Sequence, residues 1–153
     1  MKALELKVPP PILALCLAPL MWFTPALVRS VVVPFGVRLG VALALVVIGQ
    51  CISISGMVSF RRAKTTMNPI KPGAASSLVS SGVYRFTRNP MYLGLSVTLL
   101  GWAMFLANPL ALLAVPLFVL YINRFQINPE ERVLSSLFGA EYAAYKEKVR
   151  RWL

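Results

Sequence analysis

The stretch "RNPMYLGLSVTLLGWAMFLANPLALLAVPLFVLYINRFQ", residues 88–126, decides the fold. It holds two apolar runs, 90–107 and 109–127, parted only by Asn108 and Pro109, a turn signal. Each run has the length, about 18 residues, that carries a helix across the hydrocarbon core of a bilayer. The pair reads as a tight antiparallel helical hairpin. At its entry, Pro90 suits a first helical position, where its missing N–H would have no partner anyway. Arg88 just before it suits a membrane interface.

The same pattern recurs outside the hairpin. Residues 10–28 and 34–59 are apolar runs of spanning length, with Arg29 and Val31 to Pro34 forming the turn between them. The first run follows Lys2 and Lys7, as the core of a signal peptide would. It stays apolar through Val28 with no small-x-small cleavage site, however, and so reads as a retained span. Hydrophobic residues make up 58% of the chain, and charged residues 14% against about 25% in an average soluble domain. After the hairpin, Val133, Leu134, Leu137, Phe138, Tyr142, Tyr145, Val149 and Trp152 recur at three- and four-residue spacings among Lys, Arg and Glu. Gly139 weakens that helix by up to about 1 kcal/mol relative to alanine. The expectation is an all-α integral membrane protein with a single domain, residues 1–153. It comprises two spans within 1–60, a connecting segment 61–89, the hairpin 90–127 and an amphipathic C-terminal helix 128–153. Gly36 and Gly40 form a small-xxx-small spacing that reads as a helix-packing device.

Charge orients these elements. Sixteen Lys and Arg stand against five Glu (Glu5, Glu130, Glu131, Glu141, Glu147), with no Asp and no His. The lack of histidine removes Ser-His-Asp triads and histidine proton shuttles, and the composition offers no metal site. Cys16 and Cys51 lie in apolar runs as small hydrophobes. The positive charges fall in short segments between the runs, which is the signature of membrane topology and not of nucleic-acid binding. Six lie in 61–88 (Arg61, Arg62, Lys64, Lys71, Arg85, Arg88) and six from residue 124 onward (Arg124, Arg132, Lys146, Lys148, Arg150, Arg151), whereas the loop at Asn108 carries none. Basic loops stay in the cytoplasm. A multi-pass topology follows, with both termini and the 61–88 segment cytoplasmic.

Because the turn at Asn108 lies on the opposite side, residues 88–92 and 124–131 come to one cytoplasmic level. Taken alone, Glu130 and Glu131 answer to helix-dipole chemistry, and Arg124, beside Asn123 and Gln126, to snorkelling. Together they make a pocket. It combines a helix N-terminus that favours anions, the arginines Arg88 and Arg124, two carboxylates able to accept ribose hydroxyls, and the rings of Tyr84 and Tyr92. Such a set suits a nucleoside-bearing, carboxylated cofactor. Neither a Rossmann GxGxxG nor a P-loop is present.

"GVYRFTRNPMYLG" (82–94), then a span, a short turn with proline, a second span and "EERVLSSLFGAEYAAYKEKVRRWL" (130–153), resembles the isoprenylcysteine carboxyl methyltransferase family and its phospholipid N-methyltransferase relatives. The resemblance covers residues 80–153. It implies an S-adenosylmethionine-dependent membrane enzyme that methylates a carboxylate, thiol or amine on a lipophilic acceptor or lipid at the cytoplasmic face, with the C-terminal helix completing the cofactor pocket. By position, Arg88, Pro90, Tyr92 and Gly94 match the family's Arg-His-Pro-x-Tyr-x-Gly element, Glu130 and Glu131 its paired acids, and Arg124 a basic residue shortly before them. Asn89 stands where many members carry histidine; the phospholipid-methylating branch often reads Asn-Pro-Met-Tyr, as here. The expected cofactor-binding set is Tyr84, Arg88, Asn89, Pro90, Tyr92, Gly94, Glu130 and Glu131, and the residues expected to act in catalysis are Arg88, Arg124 and Glu131. The alternatives are an NADPH-dependent membrane sterol or enone reductase, which would show Asn-Tyr-x-Gly-Glu where this chain has Met91 to Leu95, and a non-enzymatic scaffold.

Overall fold

The computed structural model describes residues 4–63 and 77–153. Lys2, Lys64, Lys71 and the middle of the 61–89 connecting segment lie outside the described residues. Everything regular in what is described is helical: α1 (Pro10–Trp22), α2 (Phe35–Arg62), α3 (Pro90–Leu106), α4 (Pro109–Ile122) and α5 (Asn128–Lys148). Two helical stretches are long and apolar enough to cross a membrane, Phe35–Arg62 and Pro109–Lys148. The 17 residues of α3 rise about 25 Å, close to a bilayer core.

The hairpin forms where the sequence places it. Ala107 adopts the left-handed conformation that closes α3, and Asn108 caps α4, its Oδ1 accepting from the N–H groups of Leu110 (3.0 Å) and Ala111 (3.4 Å). The Asn108 amide also donates to Val28 O (2.7 Å), and Val31 N–H to Ala107 O (2.7 Å), so the turn after α1 is tied to the hairpin.

Three expectations are corrected. The first helix, expected over 10–28, ends at Trp22, because Thr24 Oγ1 takes up the Met21 carbonyl (2.7 Å) and Pro25 has no N–H to continue the ladder. The fourth run and the C-terminal helix, expected as separate elements over 109–127 and 128–153, are one continuous stretch. A π-helical turn, Asn123–Ile127, joins α4 to α5 without interruption. Pro129 cannot donate to the Phe125 carbonyl four residues back, and that carbonyl accepts instead from Leu6 N–H (3.0 Å), which pins the N-terminal segment across the join. The C-terminal helix, expected to run to 153, stops at Lys148, and Val149 turns extended.

α3 is the centre of the bundle. One side packs on α1 and α4 through Met21, Leu99, Ala103, Leu106, Ala111 and Phe118. The other meets α2 so closely that a methyl on Gly94 would collide with Ser53 and the Gly49 carbonyl, and one on Gly56 would press on Pro90 and Met91. Small residues permit this approach. Gly36 and Gly40, expected to pack helices, face open space; the first turns of α2 meet α3 through Phe35 and Arg38 instead. The outward faces of α1, α2 and α4 carry Leu15, Leu20, Phe35, Val47, Leu117 and Leu120, all exposed. An exterior of that kind fits lipid better than water.

Candidate functional site

At the end of α3 opposite the hairpin turn, α3, α5 and the C-terminal residues converge. Glu130 and Glu131 lie in the first turn of α5, and consecutive helical positions point about 100° apart. The two carboxylates therefore meet different partners.

Glu131 reaches cations. Arg88 Nη2 donates to its Oε1 (2.8 Å), while Arg151 donates from Nη2 to Oε2 (2.6 Å) and from Nε to Oε1 (3.1 Å). Burial pushes this carboxyl up, but the bonds and charges of Arg151 and Arg88 together outweigh burial and hold it below the usual carboxylate range. Arg88 is also a structural clamp. Its Nη1 donates to Val149 O (2.7 Å) and Lys146 O (3.2 Å), satisfying carbonyls at the end of α5.

Among the described residues, Glu130 reaches only neutral donors. Its Oε1 accepts from the Tyr92 hydroxyl (2.5 Å) and the Gln126 amide (2.6 Å). Among the described residues no cation pairs with it. Burial pushes its carboxyl up to about 7; the Tyr92 and Gln126 bonds offset that only in part, and the charge of Glu131 adds to it. The carboxylate is solvated by dipoles but not neutralised.

Tyr84 forms the wall on the α2 side. It sits in a 3-10 turn, Gly82–Arg85, entered through Gly82 at a φ of 62°, a region that favours glycine. Its ring stands edge-on to Phe60 at 5.4 Å, and its carbonyl accepts from the Tyr145 hydroxyl (2.7 Å). Burial, then the neighbouring Tyr145 and Glu130, push the Tyr84 phenol far up.

The C-terminal residues lace the site shut. Arg88 N–H donates to Arg150 O (3.0 Å), and the Thr87 hydroxyl (3.2 Å) and the Asn89 amide (3.0 Å) both donate to Arg151 O. Trp152 Nε1 donates to Asn123 Oδ1 (3.1 Å).

Of the residues picked from sequence, Arg88, Tyr92, Glu130 and Glu131 meet in this cluster with Tyr84 alongside. Asn89 is bound to the C-terminal strap. Pro90 and Gly94 face α2. Arg124 is half-exposed and pairs with Glu5 at 3.6 Å, over the ring of Phe125. Glu5 also pairs with Arg132. Gln126, Tyr145 and Arg151 escaped the sequence reading. Gln126 was within reach, four residues before Glu130 on one helical face. Arg151 was not, because its place depends on the chain leaving the helix at Val149.

A family model described as phospholipid methyltransferase matches residues 37–141. An uncharacterized protein of Haemophilus influenzae is 57% identical over 63 residues, which are 41% of this chain and the whole of that protein. A "probable protein-S-isoprenylcysteine O-methyltransferase" of Oryza sativa subsp. indica is 35% identical over 116 residues, 74% of this chain and 59% of that protein. The protein-S-isoprenylcysteine O-methyltransferase of Homo sapiens is 33% identical over 110 residues, 70% of this chain and 38% of that protein. The chain thus spans between 38% and 59% of the length of these two methyltransferases.

Proposed function

The chain belongs to the phospholipid methyltransferase family, and from that premise we propose that it transfers a methyl group from S-adenosylmethionine to a lipophilic acceptor at the cytoplasmic face of a membrane. In this reading the chain is a single membrane domain. α1 to α4 cross the bilayer with both termini cytoplasmic, α1 being helped by the apolar residues that continue to Ala26, and α5 lies at the cytoplasmic level as the closing element. The apolar outward faces of α1, α2 and α4 support this arrangement.

One observation carries the proposal: among the described residues, Glu130 is a buried carboxylate bonded only by the neutral groups of Tyr92 and Gln126. A buried charge without a counter-charge is costly, and a cationic ligand removes that cost. The residues therefore fit a sulfonium cofactor on the chemistry of their donors. When bound, S-adenosylmethionine supplies an electrophilic methyl group whose transfer to a lone pair of the acceptor leaves a neutral thioether.

The protein's part is alignment and exclusion of water. Glu130 offsets the cofactor's positive charge. Tyr92 holds Glu130 in place. Glu131, positioned by Arg88 and Arg151, presents a fixed carboxylate edge to ribose hydroxyls. Arg151 and Arg88, both at this end of α3, would hold the methionine carboxylate. Tyr84 closes the α2 side. Asn89 fastens the C-terminal strap. Pro90 and Gly94 set α3 against α2 and so fix the wall on which Tyr92 stands. Arg124, on the outer side of the π turn, meets the anionic part of an arriving acceptor once Glu5 releases it. A carboxylate or thiolate acceptor needs no base, whereas an amine would need to lose a proton, and Glu130 is the group poised to take it.

Calorimetric titration of the detergent-purified chain with S-adenosylhomocysteine and, in parallel, NADPH tests the reading. Saturable binding of the former alone is the expected result. Binding of NADPH instead would move the chain to the reductases, and binding of neither in the presence of lipid would leave no cofactor site at all.

A further inference from the structure

The other end of α3 holds side chains that methyl transfer does not use. A cavity of about 370 Å³ opens there between the start of α2, the end of α3 and the start of α4, walled by Val31, Val37, Val41, Ala103, Met104 and Leu112. Into this aliphatic cleft comes one charge, Arg38. Its Nε is buried and meets no hydrogen-bond partner among the described residues. The guanidinium lies 6.0 Å from the ring centre of Phe35 and 5.8 Å from that of Phe105. No carboxylate answers it. Glu5, Glu130 and Glu131 sit at the opposite end of α3, and Glu141 and Glu147 belong to α5. Asn108, the other polar residue of the lining, is fully engaged in the hairpin turn.

Topology does not explain Arg38 either. In the four-span arrangement it lies on the side that basic residues avoid. Phe35 and Phe105 flank it, and Trp102 stacks on Phe105 and Trp22 on Trp102, the composition of an interfacial aromatic group. A planar, permanently charged fork with no acceptor of its own, set in an aliphatic wall, is complementary to an amphiphile whose oxyanion takes the fork and whose hydrocarbon chain takes the wall.

We propose that this cleft is a phospholipid site, in which Arg38 holds the phosphodiester of a lipid from the leaflet opposite the cofactor site and one acyl chain lies against Val37, Val41, Met104 and Leu112. Its assignment to that leaflet rests on the topology proposed above; the lipid contact itself does not depend on methyl transfer.

Native mass spectrometry of the full chain released from dodecyl maltoside, with dioleoylphosphatidylglycerol as the probe, tests the site. The unmodified chain is expected to retain one phosphatidylglycerol. Arg38→Gln should lower that occupancy about tenfold or more, as loss of a charged hydrogen bond does, and Arg38→Lys should recover part of it. Leu112→Trp, which fills the cleft while keeping Arg38, should also lower it, so the test survives if one variant fails to fold. Equal occupancy in the unmodified chain and in whichever of Arg38→Gln and Leu112→Trp folds would overturn the proposal, as would displacement of the lipid by an equal concentration of glycerol 3-phosphate.

Discussion

Two adjacent glutamates of the same chemistry are driven in opposite directions by their surroundings. Glu131, held below the ordinary range by Arg151 and Arg88, contributes stability that is present above pH of about 4.5 and lost as pH falls through its folded value. Glu130, raised to about 7, contributes stability present below about 4.5 and lost as pH rises through about 7. The cofactor-free chain should therefore lose thermal stability between pH 5 and pH 8, and Glu130→Gln should flatten that slope; an equal slope in both proteins would remove Glu130 from the account. Since a cation favours the ionised carboxylate, the affinity for S-adenosylmethionine should rise with pH across the same window more steeply than that for neutral S-adenosylhomocysteine. Glu130→Gln should abolish the difference, which calorimetry at pH 6 and pH 8 would reveal. Glu131→Gln and Arg88→Ala should each weaken S-adenosylhomocysteine binding about tenfold or more. Circular dichroism should show their helices intact, and unchanged affinity in both would sink the site.

Elements here are shaped by single positions. Ala107 occupies a left-handed cap without being glycine, so Ala107→Gly should raise stability by up to about 1 kcal/mol. Asn108→Ala removes a cap and the tie to Val28 and should cost about 1–2 kcal/mol. Thermal unfolding in one detergent would compare the two, and the same sign for both would contradict the described turn. Gly139, at φ 47° and ψ −118°, breaks the regularity of α5 in a conformation open essentially to glycine. The helix bends there, and Leu134 and Phe138 before the bend and Tyr142 and Tyr145 beyond it pack with Val149 and Leu78.

Across the whole molecule, α3 is the wall shared by the two proposed sites. Its near end carries Tyr92 toward Glu130, and its far end carries Phe105 toward Arg38. Close approach to α2 at Gly94 and at Gly101 holds this wall in place. Gly94→Leu should force the helices apart at a cost of about 1–3 kcal/mol or more and weaken both S-adenosylhomocysteine and phosphatidylglycerol binding. Loss of one alone would show that the two ends are not mechanically joined through this contact. Deleting residues 149–153 removes the acceptors of Thr87 and Asn89 and one cation of Glu131, and should impair the cofactor end alone.

The hairpin, the apolar character of the helices and the pairing of residues 88–92 with 130–131 were legible in the sequence, because hydrophobic period, proline position and charge are local properties that act before any packing. The chain's relation to a methyltransferase family was legible for a similar reason: its motifs are contiguous. Tertiary structure alone decided that the helix joins through a π turn at Asn123–Ile127, that it ends at Lys148 so that Arg151 reaches Glu131, and that Gly94 faces α2. It also decided that Arg124 pairs with Glu5 and that Arg38 faces no acid. Each of these depends on which distant backbone or side chain is near enough to replace a lost partner, a fact of three-dimensional contact that no local pattern encodes.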